Sequence, residues 1–518
     1  MSAISWRWGL AVVSAGLVTA FSAAVAADRA SPTEATVANA IEELKKAAAE
    51  EIASNSVAGI GIAVVWNDKV VYTGGFGVRS TETGEPVDAD TVFQLASVSK
   101  PIGSTVVARL VGEGKVTWDT RIVDIDPAFA LHDPWVTANV TIRDLYSHRS
   151  GLPDHAGDLL EDLGFTREEI LHRLRYQRAG GAFRSSYAYT NFGMTEAGVA
   201  AAKAAGMEWE DASEELLYKP LGMTSTSSRY ADFMARPNRA AGHVLVDGKW
   251  VPKFLRDPDT EAPAGGVSSS ANDIAQWLRL QLGDGKYEGQ QLVASAALDE
   301  THMPTTLTGQ MTLAGTPQWY GLGWNVNYAA DGRLKISHSG AFAYGTGTNV
   351  NLSPSDNLGV AVITNSAPTG VAEGLAADFM DIAIYGSIQN NWLDLYKGAF
   401  AQMMAAEGGD PAFKAPPASP RAAAPNDAYV GTYTNDFYGD IAIVAEGSGL
   451  AITQGPQPMR FAMTHFDGDI FTYETVGESG VGLSGITFTL AADGTAATVL
   501  VANLDNNGEG LFTRVSED

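Results

Sequence analysis

A break at residues 407–426 divides the chain into two parts with different rhythms. Gly408-Gly409-Asp410-Pro411 and Ala415-Pro416-Pro417-Ala418-Ser419-Pro420 read as a linker, because neither stretch can hold a regular backbone ladder. Before the break, residues 30–400 mix helical spacing with strand-like alternation. After it, residues 427–518 carry only short apolar runs separated by turns rich in Gly, Asp and Asn. Ile441-Ala442-Ile443, Leu450-Ala451-Ile452, Ile470-Phe471-Thr472-Tyr473, Ile486 to Leu490 and Ala497 to Val501 are examples, and they predict a small antiparallel barrel.

The N-terminus is different again. Arg7 is the sole charge before Asp28, Gly9 to Phe21 is apolar, and Ala24-Val25-Ala26 has the small-x-small pattern of a processing site. Residues 1–26 therefore read as a secretory signal peptide, which points to the periplasm or the exterior and to no stable membrane insertion after cleavage. The sequence has no cysteine, so disulfides, thiolate metal sites and a cysteine nucleophile are excluded. Its formal charge of −26 repels nucleic-acid phosphates and anionic lipid, so neither is an expected partner.

In the first part, Glu34 to Ser54 predicts a helix capped near Ser31-Pro32, and Val57 to Tyr72 a hairpin turning at Trp66-Asn67-Asp68. A helix follows Phe93 and ends near Gly112-Glu113-Gly114. Ala271 to Leu282 reads as helix. Tyr320 to Val326, Leu334 to Ser337, Gly345 to Leu352 and Leu358 to Thr364 read as successive strands, closed by a helix from Gly370 to Tyr385. The order implies an α/β (α+β) body, with a central antiparallel sheet flanked by helices from both ends of the segment.

Three short segments carry chemistry. In Ser97-Val98-Ser99-Lys100 the serine and lysine share one helix face, and a helix start offers free N–H groups to developing negative charge. A buried lysine lowers the cost of removing the hydroxyl proton. In Tyr189-Thr190-Asn191 a phenol, whose free pKa is about 10, needs a nearby cation to act as a base. Lys100 is that candidate, Asn191 is a candidate to bind a substrate amide, and Tyr187 is the rival phenol. His338-Ser339-Gly340 follows a predicted strand and is a candidate cleft wall, with the N–H groups of Ala341 and Ser97 as a candidate oxyanion hole.

Together these segments resemble the family of serine β-lactamases, penicillin-recognising peptidases and related esterases, in its class C-like branch. The resemblance covers about residues 40–390. It rests on Phe93 to Pro101, on Thr141-Ile142-Arg143-Asp144-Leu145-Tyr146-Ser147-His148-Arg149-Ser150-Gly151-Leu152-Pro153, and on Phe183 with Tyr189-Thr190-Asn191-Phe192-Gly193. Ala264-Gly265-Gly266-Val267-Ser268-Ser269-Ser270 and Tyr320-Gly321-Leu322-Gly323-Trp324 add to it. It implies a β-lactamase/transpeptidase-like fold with an all-helical subregion, and a Ser97 acyl-enzyme. Tyr189 and Lys100 would share the proton transfers, Asn191 would meet the acyl-side amide, and His338, Ser339 and Gly340 would form the wall. Histidine at 338 departs from the lysine of antibiotic-resistance enzymes, which favours a peptidase or esterase of small peptide, amide or ester substrates, D-residue-containing peptides among them. Two rival readings are a true β-lactamase and a non-catalytic cell-wall or peptide-binding protein. No cofactor and no metal are implied.

His148 and Asp154 sit in the signature segment, but nothing in sequence ties them to Ser97 as a triad. The C-terminal part resembles the lipocalin-like barrels that follow some peptidase members. Shielding of the cleft or pairing into a homo-oligomer is its expected role. Tyr433, Phe437 and Tyr438 are candidates to reach the cleft or, more plainly, to fill the barrel core.

Overall fold

The computed structural model describes residues 30–406 and 411–516. The expected signal segment and residues 407–410 of the expected linker lie outside the described residues.

Eight antiparallel strands make the central sheet, in the order Lys69–Gly77, Gly59–Trp66, Leu358–Thr364, Thr346–Ser353, Leu334–Phe342, Asn325–Tyr328, Pro317–Tyr320 and Thr306–Met311. The first hairpin turns through Asn67 and Asp68, both left-handed at φ 50° and 59°. Strands from the two ends of the domain then meet in mid-sheet, with Ile62 opposite Val362. Side chains alternate across the pleat. Ile60, Ile62 and Val64 pack with Val37, Leu44, Leu375 and Phe379 of the helices Glu34–Ala53 and Val371–Tyr385. Ala63, Val65 and Ile363 face the other way, onto Ile102 and Val106 of helix Ser99–Gly112 and Ile274 and Leu278 of helix Ala271–Leu282. A run of short helices between Pro134 and Ala235 builds the helical subregion beyond. Among the described residues no helix is long and apolar enough to cross a membrane.

Local differences from the sequence reading have physical causes. The first helix is capped by Thr33, not by Ser31-Pro32, because Thr33 and Thr36 exchange side-chain and backbone hydrogen bonds in a capping box. The expected strand Tyr320 to Val326 is two strands with a turn between them. Gly323 turns there at φ 83°, and a Cβ on it would stand 2.9 Å from the Lys100 carbonyl. The expected strand Leu334 to Ser337 runs on to Phe342, so His338-Ser339-Gly340 lies inside it. Helix Trp392–Ala406, unforeseen from sequence, packs on Val371–Tyr385, where Trp392 Nε1 donates to Asp381 at 2.6 Å.

Residues 431–514 form a closed barrel of eight antiparallel strands, with Leu511–Arg514 returning to Gly431–Asn435. Phe471 and Phe488 pack together in it, ring centroids 5.8 Å apart, beside buried Tyr433, Ile452 and Phe512. Tyr433, Phe437 and Tyr438 are all buried, Tyr433 against Phe488 and Tyr438 against Phe512 and Phe437 in the barrel. Phe413, within the expected linker, lies against barrel residues Gly485 and Phe466. The barrel docks on the helical subregion, where Arg173 donates to the carbonyls of Asp436 and Phe437 at 3.2 and 2.8 Å.

Leu375 is fully buried (0 %) between sheet and helix, whereas Leu307 on the edge strand is 48 % exposed. Leu375→Ala is expected to cost about 2–5 kcal/mol and Leu307→Ala no more than about 0.5 kcal/mol. Thermal unfolding of the two variants measures this.

Candidate active site

Phe93–Gln94 pairs with Ser268–Ser269, and the chain then reverses at Ala96, whose φ of 47° is unusual for a residue with a side chain. A 3-10 turn, Ala96–Val98, leads into helix Ser99–Gly112. Ser97 in the turn and Lys100 in the first turn of the helix are three apart and share a face, which brings Lys100 beside Ser97. Lys100 Nζ lies 3.0 Å from Ser97 Oγ, 2.6 Å from Asn191 Oδ1 and 3.1 Å from the Ala264 carbonyl. All three partners are neutral oxygens, and Lys100 is fully buried. Burial brings its pKa down to about 8, although the charges of Glu261 and Asp158 act the other way.

Tyr189 stands just ahead of helix Asn191–Ala204. Its N–H donates to Asp154 at 2.7 Å and its carbonyl accepts from His155 N–H at 2.7 Å, so its backbone is fixed on both sides. Its hydroxyl donates to Ser97 Oγ at 2.7 Å, and Lys100 Nζ lies 4.6 Å from its ring centre. Burial carries the Tyr189 phenol well above its ordinary range, so it stays protonated at rest. Tyr187, the rival phenol, packs instead against the rings of His148 and Tyr320, each at 5.7 Å.

The wall strand passes close to the nucleophile turn at Gly340. A Cβ there would come within 2.3 Å of both the Leu95 carbonyl and Thr348 Oγ1, and 3.0 Å from Ser97 N. Only glycine permits this approach. Ala341 follows on the exposed side of the strand. His338 is buried beneath Tyr320, with Nε2 2.8 Å from the Tyr320 hydroxyl and Nδ1 2.6 Å from the Ser339 carbonyl. Burial and then the Lys100 charge bring His338 down to about 3. The neutral ring thus accepts from Tyr320 and donates to the Ser339 carbonyl. Ser339 alternates to the other face of the sheet, where its hydroxyl accepts from Asn349 at 3.2 Å and bonds Glu373 of the helix behind. The structure therefore brings Ser97, Lys100, Tyr189, Asn191 and Gly340 together. It sets His338 behind Tyr320 and turns the Ser339 hydroxyl away from Ser97, so the expected wall contact by that hydroxyl is corrected.

His148 accepts from Thr190 N–H at 3.2 Å and packs 4.6 Å from the Tyr189 ring, so it supports the tyrosine from behind. Two contributors, Asp158 and Glu261, escaped the sequence reading, and Ala264 was read there only as part of a family segment. Asp158 Oδ2 holds Asn191 Nδ2 at 2.9 Å and His155 Nδ1 at 2.8 Å. The Ala264 carbonyl bonds Lys100, and buried Glu261 lies near it. Glu261 lies three residues ahead of the Ala264–Ser270 segment already singled out, so its nearness to that segment was an available signal. Among the described residues no group of three His, Asp or Glu side chains is placed to hold a metal ion.

A Beta-lactamase family model matches residues 37–384. The chain belongs to the beta-lactamase family. A second model, a domain of unknown function (DUF3471), matches residues 415–512 of this family member. Among relatives, the Unguisins hydrolase ungD of Aspergillus violaceofuscus (strain CBS 115571) is 26% identical over 80% of this chain and 80% of its own length. Penicillin-binding protein 4 of Amycolatopsis lactamdurans is 29% identical over 58% of this chain and 78% of its own. The solved octameric penicillin-binding protein homologue from Pyrococcus abyssi has the same fold, with a TM-score of 0.59 at 18% identity over 89% of this chain and 98% of that one. Family and relatives agree that this beta-lactamase family member is a serine hydrolase.

Burial alone would lower the His155 pKa, but its hydrogen bond to Asp158 and the negative charge of that carboxylate outweigh burial and carry it up to about 9. Because the folded value lies above the ordinary one, the pair stabilises the fold fully below about pH 6.5 and loses that contribution as pH rises through about 9. Asp158→Asn is expected to return His155 toward about 6.5, read by an NMR titration of the imidazole.

Proposed function

We propose that Ser97 is the nucleophile of an acyl-enzyme reaction on small amide or ester substrates, with Lys100 as its base and Tyr189 as the proton shuttle. The observation that carries this reading is the contact of Ser97 Oγ with a fully buried lysine at 3.0 Å and a protonated phenol at 2.7 Å. A lysine amine with a pKa of about 8 has a substantial neutral fraction near neutrality.

In acylation, Ser97 Oγ attacks the carbonyl carbon and its proton passes to the neutral Nζ of Lys100. The N–H groups of Ser97 and Ala341 stabilise the oxyanion. Tyr189 gives its proton to the leaving oxygen or nitrogen as the carbon–leaving-group bond breaks, and the Lys100 ammonium reprotonates Tyr189. In deacylation, water attacks the ester, its proton passes to the same pair, and Ser97 Oγ recovers a proton as it leaves. Asn191 Nδ2 gives one N–H to Asp158, and its Oδ1 accepts from Lys100, so its first task is to hold the base; Nδ2 carries a second N–H with which to meet a substrate carbonyl.

The wall favours a peptidase or esterase over a β-lactamase. A β-lactam carboxylate calls for a permanent cation at 338, and the histidine there is buried, neutral and bonded to Tyr320. The signal-like segment at 1–26 supports work in the periplasm or outside the cell. Peptides with a D-residue are the peptide substrates to try first.

Treatment with a fluorophosphonate probe followed by mass analysis is expected to label Ser97 alone. Ser97→Ala should lose labelling and nearly all turnover, and Lys100→Met should lose about 10³-fold or more in kcat. Full activity in folded Ser97→Ala would defeat the reading. Hydrolysis of p-nitrophenyl butyrate or D-alanyl p-nitroanilide should exceed that of nitrocefin by kcat/KM, and the reverse order would restore the β-lactamase reading.

A further inference from the structure

The barrel sends one loop into the hydrolase body. It joins strands Ile470–Glu474 and Leu483–Leu490, and it is rigidly built, with Thr475 bonding Val481 and Gly482 at 2.8 Å each. Gly477 has φ 106°, and a Cβ on it would lie 2.4 Å from the Asp162 carboxyl carbon. Asp162 accepts from the N–H groups of Glu478 and Ser479 at 2.8 Å each. Gly477 N–H donates to the Tyr344 hydroxyl at 2.9 Å.

Glu478 makes the contacts that matter. Its carboxylate accepts the N–H groups of Ala343 and Tyr344, the two residues after the wall strand Leu334–Phe342. It also lies 4.0 Å from Arg256, which pairs with Glu161 at 2.6 Å and Glu261 at 2.7 Å and covers the Phe342 ring at 4.8 Å. The Arg256 carbonyl accepts from Gln94 at 2.8 Å, three residues before Ser97. Glu478 thus holds the backbone just after Ala341 directly, and it stands beside Arg256. Glu478 and Tyr344 fix the chain just beyond Ala341, and the Arg256 main-chain carbonyl anchors the Gln94 side chain just ahead of Ser97. Burial carries the Glu478 carboxyl up to about 7, so keeping it among these N–H groups and Arg256 is costly, and the barrel also docks away from the wall through Arg173.

We propose that Glu478, contributed by the barrel, is a positioning residue for the hydrolytic site, setting the separation of the Ser97 and Ala341 N–H groups. This rests on the reading of those two groups as the oxyanion hole. Removing one such donor outright typically costs about 10²–10³ in rate, so displacing one should cost roughly tenfold or more in kcat. KM should change less, because the interaction strengthens only as negative charge develops.

The test uses the full chain with p-nitrophenyl butyrate and three variants. Glu478→Gln keeps the shape of the side chain and removes its charge. Arg173→Met loosens the barrel at a site away from the wall. Tyr344→Phe keeps the ring stacked on Phe254 and removes the hydroxyl that holds Gly477. The expected result is a kcat about tenfold lower in Glu478→Gln with KM within about threefold, slower phosphonylation of Ser97, and unchanged kcat in Arg173→Met. Tyr344→Phe should show the same split to a smaller extent and serves in place of Glu478→Gln if that variant fails to fold. Unchanged kcat in whichever of Glu478→Gln and Tyr344→Phe folds overturns the proposal. Equal losses in these variants and Arg173→Met also overturn it, since they mean general docking. Failure of the unaltered protein to label at Ser97 would instead defeat the acyl-enzyme reading.

Discussion

The site depends on an amine held away from water among oxygens that carry no charge. Lys100 meets Ser97, Asn191 and the Ala264 carbonyl, and none of these repays the cost of burying an ammonium as a carboxylate would. The neutral amine is therefore unusually accessible, and a neutral amine can take a serine proton. Glu261 and Asp158 moderate the effect through space, which keeps the group within reach of physiological pH.

Much of the architecture follows from keeping that arrangement closed. Gly323 lets the turn after the Pro317–Tyr320 strand approach the Lys100 carbonyl, and Gly340 lets the wall strand press against Leu95 and Ser97. Trp324, from the same turn, stacks on Trp277 at 5.5 Å and fixes the helix Ala271–Leu282 beside the nucleophile helix. The barrel belongs to this closure as well. Its Glu478 loop inserts among Asp162, Arg256 and Tyr344, so the C-terminal region shares polar contacts with the hydrolase body.

The sequence carried the fold and the centre of the site for different reasons. Strands such as Leu358–Thr364 and the helix Glu34–Ala53 were legible because their apolar spacing is local. Ser97, Lys100, Tyr189 and Asn191 were legible because short motifs in a fixed order carry them. Side-chain direction was harder. His338, Ser339 and Gly340 read as one wall, but strand alternation sends their side chains to opposite faces, and a buried bond to Tyr320 takes the histidine out of play. Arg256 and Glu478 were not legible, because a long-range pair between loops leaves no period and no spacing in the chain. Helix Trp392–Ala406 was missed for a related reason, since a contact with its neighbouring helix, more than its own pattern, marks it.

The account turns on the protonation state of Lys100, and the pH dependence of Ser97 phosphonylation reads it most directly. The rate should climb with pH, reach half its plateau near pH 8, and stay level above it, because Tyr189 keeps its proton throughout that range. A rate that ignores pH between 6 and 9, or one that rises only near the ordinary lysine value of about 10.4, would contradict a neutral buried amine as the base.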